Sequence, residues 1–142
     1  MKQLAPIPEK LSFEYCIAYL EKKNWNGKPT CPYCSSKRAT RILNEYRYHC
    51  NNCNTPYSVT VNTIFHHTHV PLQKWFWAIF LVLASNDRVT GRQLAIVLDI
   101  NKNTACGMLS AIKNTAKHIR HNAFLEEIAN MVNQYIVMDA NL

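Results

Sequence analysis

The spacing of hydrophobic and polar positions changes twice along this chain. Apolar residues recur at helical intervals between Phe13 and Leu20, and Ser12 stands where a helix N-cap is expected. Between Tyr57 and Asn62, apolar and polar residues alternate, as on a half-buried strand. After Pro71 the helical period returns. The pattern therefore predicts a short helix, then a β segment, then a helical region.

The β segment predicts a three-stranded antiparallel sheet. Residues 38–43 and 46–49 are rich in strand-forming residues, and the Asn44-Glu45 pair between them favours a hairpin. The alternating stretch from Tyr57 supplies the third strand. Asn54 precedes it, and asparagine tolerates the left-handed backbone that a tight turn requires.

The region after Pro71 predicts a helix to about Ala84 and then two more helices. Thr90 and Gln93 fit a capping box for a helix over Gly91 to Leu98, and Asn101 can cap the helix that follows. That last helix carries one apolar stripe at spacings of three and four residues: Ala105, Leu109, Ile112, Ala116 and Ile119.

A short helix, a tight turn at Asp99-Ile100 and a longer helix with a polar outer face together have the outline of a helix-turn-helix. In such motifs the second helix enters the major groove of DNA. A helical core without a ligand is the alternative. The residues expected to read bases are Lys102, Asn103, Thr104 and Cys106, and those expected to meet phosphates are Arg88, Arg92, Lys113 and Lys117.

Four cysteines form two pairs, Cys31/Cys34 and Cys50/Cys53, in the spacing C-x2-C-x15-C-x2-C. This spacing is typical of a four-thiolate zinc site, with one pair at each end of a hairpin. Four protein ligands leave no open position, so the expected Zn²⁺ ion, one per chain, is structural. Two disulfides or four free thiols are the alternative. His66, His67 and His69 could hold a second metal, but a polar connection is favoured.

Composition and charge favour a nucleic-acid partner. The 142 residues carry a net charge of +7, with a pI near 9.2. Six basic residues and one acid lie between Arg88 and Arg120. The N-terminus carries no secretory signal, and the longest apolar run, 75–84, is too short for a membrane span. We therefore expect a cytoplasmic bacterial protein, associated with the nucleoid when bound to DNA and not with a membrane.

The combination of these motifs resembles the N-terminal half of zinc-ribbon insertion-sequence transposases of the DDE type. The resemblance lies in "CPYC…YRYHCNNC", in "YSVTVNTIFHHTHVPLQKWFWAIFLVL" and in "TGRQLAIVLDINKNTACGMLSAIK", in this order. It covers residues 11–139. It implies binding to the DNA ends of the element, followed by strand transfer in an RNase-H-like domain in which three carboxylates hold two Mg²⁺ ions.

The catalytic part of that family is where this sequence departs from the resemblance. "YIVMDANL" is similar to the first catalytic strand, with Asp139 at the first carboxylate, but Ala140 follows where glutamate is usual. Two further departures, Cys106-Gly107 in the recognition helix and Asp99 in the turn, bear on DNA reading. We therefore expect no catalytic residues and no enzymatic activity in this chain.

The expected fold is α+β. It consists of an N-terminal helix and linker (1–28), a three-stranded antiparallel zinc ribbon (29–65), a helix-turn-helix domain (66–122), and a C-terminal helix with the start of a catalytic-type strand (123–142). The expected function is zinc-dependent binding of double-stranded DNA at element ends by a truncated transposase, with a second copy or a full-length transposase as further partners. A small transcription regulator, or a ribbon that docks on polymerase or a transposase, is the alternative.

Overall fold

The fold is α+β, with a three-stranded antiparallel sheet, one helix before it and four after it in the described part of the chain. The computed structural model describes residues 5–66, 68–86 and 88–140, with the backbone alone at 119–121 and 135–140. The elements are α1 (Phe13–Trp25), β1 (Ala39–Ile42), β2 (Arg47–Cys50), β3 (Pro56–Tyr57), α2 (Leu72–Ala84), α3 (Gly91–Leu98), α4 (Lys102–Ala116) and α5 (Ile119–Ala140).

Two compact units make up the chain. One is Ser12–His69, and the other joins the described residues before Ser12 to those from Val70 onward. No helix in the described ranges is long and apolar enough to cross a bilayer.

In the first unit, α1 packs on the sheet. Ser12 caps the helix as predicted, through a bond from the Tyr15 amide, but the helix runs on to Trp25 and ends at Asn26 in the left-handed conformation. The Trp25 ring lies edge-on to Tyr48 and Tyr57, with centroids 5.6 and 5.7 Å away. These contacts make α1 part of the ribbon unit.

The sheet has the order β1-β2-β3, with both neighbouring pairs antiparallel. The hairpin predicted around Asn44-Glu45 is present. The third strand is shorter than the alternation from Tyr57 to Asn62 predicted, because only Pro56–Tyr57 pairs with β2. Beyond it, the Ser58 and Thr60 hydroxyls bond to each other at 2.7 Å and Thr63 bonds to the Thr60 carbonyl. These local side-chain bonds give turns in place of a ladder.

In the second unit, α2 and α5 pack together, and both contact α4. Pro71 is the N-cap of α2 rather than its first residue. The Trp77 indole donates a hydrogen bond of 2.9 Å to the Ala5 carbonyl, which holds the segment before Ser12 against α2. The packed face of α2 is almost wholly apolar and accounts for much of the core of this unit.

The α3–α4 pair forms as the sequence predicts. Thr90 and Gln93 make both bonds of a capping box, Asp99 ends α3 with φ 54°, and the Asn101 side chain caps α4. The buried stripe of α4 is made by Ala105, Met108 and Ile112. The prediction named Leu109 in place of Met108, and Leu109 is only half-buried. Both Met108 and Leu109 fit the helical period of the stripe. The direction from which the neighbouring helices pack on α4 determines which of the two is buried.

The prediction of a strand at residues 135–140 is wrong, because these residues are helical in the structure. The backbone of "YIVMDA", residues 135–140, continues α5 to Ala140. A single strand has no neighbour to pair its N–H and C=O groups, whereas a helix satisfies them within itself. In the part of the chain that the structure describes, the sheet consists of β1, β2 and β3 alone, and residues 135–140 satisfy their backbone groups within α5.

Candidate metal centre and nucleic-acid surface

The two cysteine pairs lie on turns built in the same way. In the first, the Ser35 amide bonds to the Cys31 carbonyl at 2.9 Å, and in the second the Asn54 amide bonds to the Cys50 carbonyl at 2.9 Å. Ser35 and Asn54 both adopt a positive φ, of 65° and 58°. The predicted left-handed conformation of Asn54 is thereby confirmed.

Backbone amides also point at the sulfur atoms within these turns. The Tyr33 amide donates to Cys31 Sγ at 3.4 Å, and the Cys53 amide donates to Cys50 Sγ at 3.5 Å. Such bonds favour the thiolate, the form in which cysteine binds a metal. Each turn thus presents its two sulfur atoms to one point and donates an amide hydrogen bond to one of them.

The four sulfur atoms have the spacing of a tetrahedral site. Cys31 Sγ lies 3.7 Å from Cys53 Sγ, Cys34 Sγ lies 3.5 Å from Cys50 Sγ, and all four lie within 4.8 Å of one another. A tetrahedron of sulfurs at about 2.3 Å from Zn²⁺ has edges of about 3.8 Å. A disulfide needs about 2.05 Å, so none of these pairs is bonded. The prediction of a site for one zinc ion is confirmed.

The site is half buried, and its thiols are not equivalent. Cys31 and Cys50 are buried, Cys34 is intermediate and Cys53 is exposed. Burial raises the pKa of Cys31 to about 11, whereas a hydrogen bond from the Asn52 side chain lowers the pKa of Cys34 to about 6. Zinc binding would deprotonate all four thiols, and a closed site of this kind holds structure rather than activating water.

Tyr57 packs in one small core with Cys31 and Cys50. Its hydroxyl is buried and has no hydrogen-bond partner among the described residues. Burial raises the Tyr57 pKa to about 12, with nearby Cys31 and Cys50 adding to the shift. A buried donor without an acceptor is costly.

All eight residues predicted to contact DNA are exposed on the second unit. Arg88 lies in the connection before α3 and Arg92 in the first turn of α3; the other six belong to α4 and its C-cap. At about 100° per residue, Lys102, Cys106, Lys113 and Lys117 fall within roughly 60° of one another around α4. These four residues form one stripe, which we call the basic stripe.

The remaining two predicted readers lie beside this stripe or away from it. Asn103 is adjacent to it, while Thr104 is about 100° further round α4. Gly91 lies against Cys106: a Cβ atom at Gly91 would collide with the Cys106 sulfur and sit 3.4 Å from its Cα atom. This contact brings the start of α3, with Arg92, alongside the basic stripe.

The cysteine cluster is the one group of three or more potential metal ligands found in the described ranges. Neither His66 nor His69 joins such a group there, and neither do Glu126 and Glu127, which are exposed on α5. The side chain of Asp139 lies outside the described residues.

Comparison with known proteins extends this description. Residues 11–56 match the family model of the transposase zinc-ribbon domain. The match begins just before α1, so this helix and the cysteine turns fall within the same domain. The resemblance to zinc-ribbon transposases is thereby confirmed for the ribbon.

A curated relative also comes from a mobile element. The chain is 28% identical over 104 residues to an uncharacterized protein in transposable element ISH50 of Halobacterium salinarum. The aligned region covers 71% of this chain and 35% of that protein, so the match spans about a third of the relative's length. No solved structure matches the chain. The chain is thus similar to a transposase zinc-ribbon domain over residues 11–56 and to a mobile-element protein over most of its length.

Sequence reasoning missed two parts of the centre. It named neither Asn52, which bonds to Cys34, nor the aromatic support from Trp25. The second had a signal in the sequence, since Trp25-Asn26-Gly27 places a large apolar residue directly before a typical helix end. The first had none, because asparagine next to a cysteine is common in turns of every kind.

Proposed function

We propose that this chain is the DNA-binding part of an insertion-sequence transposase and binds double-stranded DNA at the ends of the element. The observation that carries the proposal is the basic stripe of α4 in a chain that also holds a transposase zinc ribbon. We infer that α3 and α4 act as a helix-turn-helix, with α4 in the major groove. The chain would then act on DNA in the cytoplasm, together with a second copy of itself or with a full-length transposase.

The charges support this assignment. The basic stripe carries Lys102, Lys113 and Lys117, and Arg92 lies beside it through the contact of Gly91 with Cys106. The acid nearest in the chain is Asp99, which ends α3. Cations on one exposed surface with few acids bind phosphates and release counterions. Lys102 and Asn103, in the first turn of α4, are in the part of the helix that meets base edges in such motifs.

The test compares two pairs of lysines. Lys113→Ala with Lys117→Ala should weaken binding to duplexes of every sequence and reduce the slope of log K against log salt by about one per lost contact. The matched control is Lys22→Ala with Lys28→Ala, which removes the same charge from exposed positions of the other unit. Fluorescence polarisation with a labelled duplex measures both. If both pairs of substitutions reduced DNA affinity and the salt slope equally, the assignment of α3 and α4 as a DNA-binding helix-turn-helix would be rejected.

Sequence reading is tested separately. Asn103→Ala should change preference among duplexes by about 1–3 kcal/mol at one base pair, with little change of the salt slope. A uniform loss over all sequences would instead assign Asn103 to the phosphate backbone.

A further inference from the structure

The sheet of the ribbon has one covered face and one open face. Trp25 of α1 packs on Tyr48 and Tyr57, and the strand register places Arg41 directly opposite Tyr48. Paired residues project to the same side of a sheet, and successive residues alternate. The side that carries Tyr48 and Arg41 is therefore the side of α1.

The other side carries a different set of residues. The register pairs Thr40 with His49 and Ile42 with Arg47, and the Asn51 amide bonds to the Arg38 carbonyl at 2.8 Å, which extends the ladder by one pair. A 3.1 Å bond from the Asn51 side chain to the Thr40 hydroxyl shows that these two share a side. We call this side the open sheet face; it consists of Arg38, Thr40, Ile42, Arg47, His49, Asn51 and Pro56.

The open sheet face is polar and basic. Its seven residues include two arginines and no carboxylate. Five of them are exposed: Arg38, Thr40, Arg47, Asn51 and Pro56. The acid within residues 29–65 is Glu45, in the hairpin turn, against four basic residues. Glu45 lies 3.9 Å from Arg47, with both side chains about half exposed. A surface pair of this length is weak, so it leaves Arg47 able to bind another anion.

The two arginines are spaced for a polyanion. Arg47 is level with Ile42, and Arg38 lies four residues further along the neighbouring strand, which is about 13 Å at 3.3 Å per residue. One strand of duplex DNA carries a phosphate about every 3.4 Å of its axis, so the two guanidinium groups can reach different phosphates. Between them, the bonded Thr40–Asn51 pair keeps the surface polar.

We propose that the open sheet face is a second DNA-binding surface, which binds backbone phosphates through Arg38 and Arg47. This rests on the proposed function and adds to it a contact in the ribbon unit. DNA is favoured over an acidic protein because protein interfaces centre on exposed aromatic or methionine side chains. The open sheet face has no Trp, Tyr, Phe or Met, and its one large apolar residue, Ile42, is half-buried.

The experiment uses the full zinc-loaded chain and a labelled duplex of arbitrary sequence, titrated between about 50 and 200 mM salt. Arg38→Ala with Arg47→Ala should reduce the salt slope by about two, since each lost phosphate contact lowers it by about one. The control pair, Arg41→Ala with Lys22→Ala, removes the same charge from the α1 side of the sheet and should leave the slope nearly unchanged. Zinc content shows that each variant keeps its fold.

Three outcomes decide the proposal. A smaller slope for the Arg38/Arg47 pair, restored by Arg38→Lys with Arg47→Lys, supports it. An unchanged salt slope for the Arg38→Ala and Arg47→Ala pair overturns the proposal. If this pair leaves the slope unchanged but abolishes binding of an acidic peptide, the open sheet face binds protein rather than DNA. If zinc is lost in the alanine pair, the glutamine pair decides in its place. If the Arg38/Arg47 pair reduces the salt slope and the pair Lys113→Ala with Lys117→Ala does not, the open sheet face binds DNA and the helix-turn-helix assignment is rejected.

Discussion

At the scale of single residues, the buried Tyr57 hydroxyl has no acceptor among the described residues, and we predict that the thiolates of a zinc-bound site provide one. Tyr57→Phe removes that donor and keeps the ring that packs on Trp25 and Tyr48. We expect zinc affinity to fall by about 10-fold or more, because bonds to ligand sulfurs hold their charge and orientation. Competition with a chromogenic chelator measures the change.

Tyr33→Phe is the control for this prediction. Tyr33 lies between Cys31 and Cys34, but its side chain is 57% exposed, so its hydroxyl is in water. This variant should bind zinc like the unchanged protein. Equal affinities for all three proteins would show that the Tyr57 hydroxyl has no part in holding the ion.

Asn52 acts on the same centre through a direct bond. Its side-chain amide donates to Cys34 Sγ at 3.5 Å and lowers the Cys34 pKa to about 6. In Asn52→Ala this pKa should rise, because the thiolate loses a donor. Protons then compete with zinc at a higher pH, so the pH of half-release should move upward. An acid titration followed by released zinc measures it.

Asn51→Ala is the matched control for Asn52. Asn51 is the neighbouring residue of the same turn, but its side chain bonds to Thr40 and not to sulfur. Its variant should release zinc at the original pH. A shift of the same size in both variants would assign the effect to the turn as a whole.

At the scale of elements, we predict that the ribbon unit needs zinc to fold and that the helical unit does not. The sheet has strands of four, four and two residues, and its small core includes Cys31 and Cys50 themselves. Structural zinc contributes roughly 10–16 kcal/mol to folding such units. Cys34→Ser should therefore release zinc and remove hydrogen-exchange protection from residues 12–69, while residues of α2 to α4 keep theirs.

Cys106→Ser is the comparison for that variant. Cys106 lies on α4, outside the cysteine cluster, so its variant should keep one zinc ion and the full protection pattern. Metal analysis and exchange mass spectrometry measure both proteins. Protection that persists over residues 12–69 in a zinc-free Cys34→Ser protein would show that the ribbon folds without its metal.

The α3–α4 contact gives a second prediction at this scale. Gly91→Ala gains helix propensity of up to about 1 kcal/mol, but its new Cβ atom must displace the Cys106 sulfur. A displaced rotamer costs about 0.5–1.5 kcal/mol, so we expect little or no net gain. In the Cys106→Ala background the same change should stabilise. Urea unfolding followed by circular dichroism measures both, and an equal effect in the two backgrounds would show no coupling.

The sequence predicted those features that depend on residues close together in the chain, and missed those that depend on contacts between distant residues. The capping box at Thr90, the tight turn at Asp99-Ile100 and the cluster of four cysteines depend on residues close together in the chain, and all three were predicted. The packing of α1 on the sheet depends on Trp25 meeting Tyr48 and Tyr57 across the fold. The short third strand depends on hydroxyl bonds that compete with pairing. Neither can be derived from a period alone.

At the scale of the whole molecule, basic residues of both units would contact DNA phosphates. The basic stripe belongs to one unit and the open sheet face to the other. Because counterion release adds over all phosphates that are contacted, the two pairs of variants should have additive effects on the salt slope. Zinc then has a second consequence, since it holds the sheet on which Arg38 and Arg47 are placed.

Cleavage of DNA requires more than binding. The two-metal route needs several carboxylates around ions about 3.5–4 Å apart, and Mg²⁺ gives up its water reluctantly. In the described ranges no such group of carboxylates occurs, and the Glu126 carboxylate accepts a bond from Asn122 on the same helix. The resemblance to DDE transposases matches one carboxylate in this sequence, Asp139, and from that match we predict that residues 1–142 alone neither nick nor join DNA ends with Mg²⁺ or Mn²⁺. Asp139→Ala should leave DNA affinity unchanged in polarisation measurements. Cleavage on a gel that Asp139→Ala abolishes would instead show that these residues hold a catalytic centre.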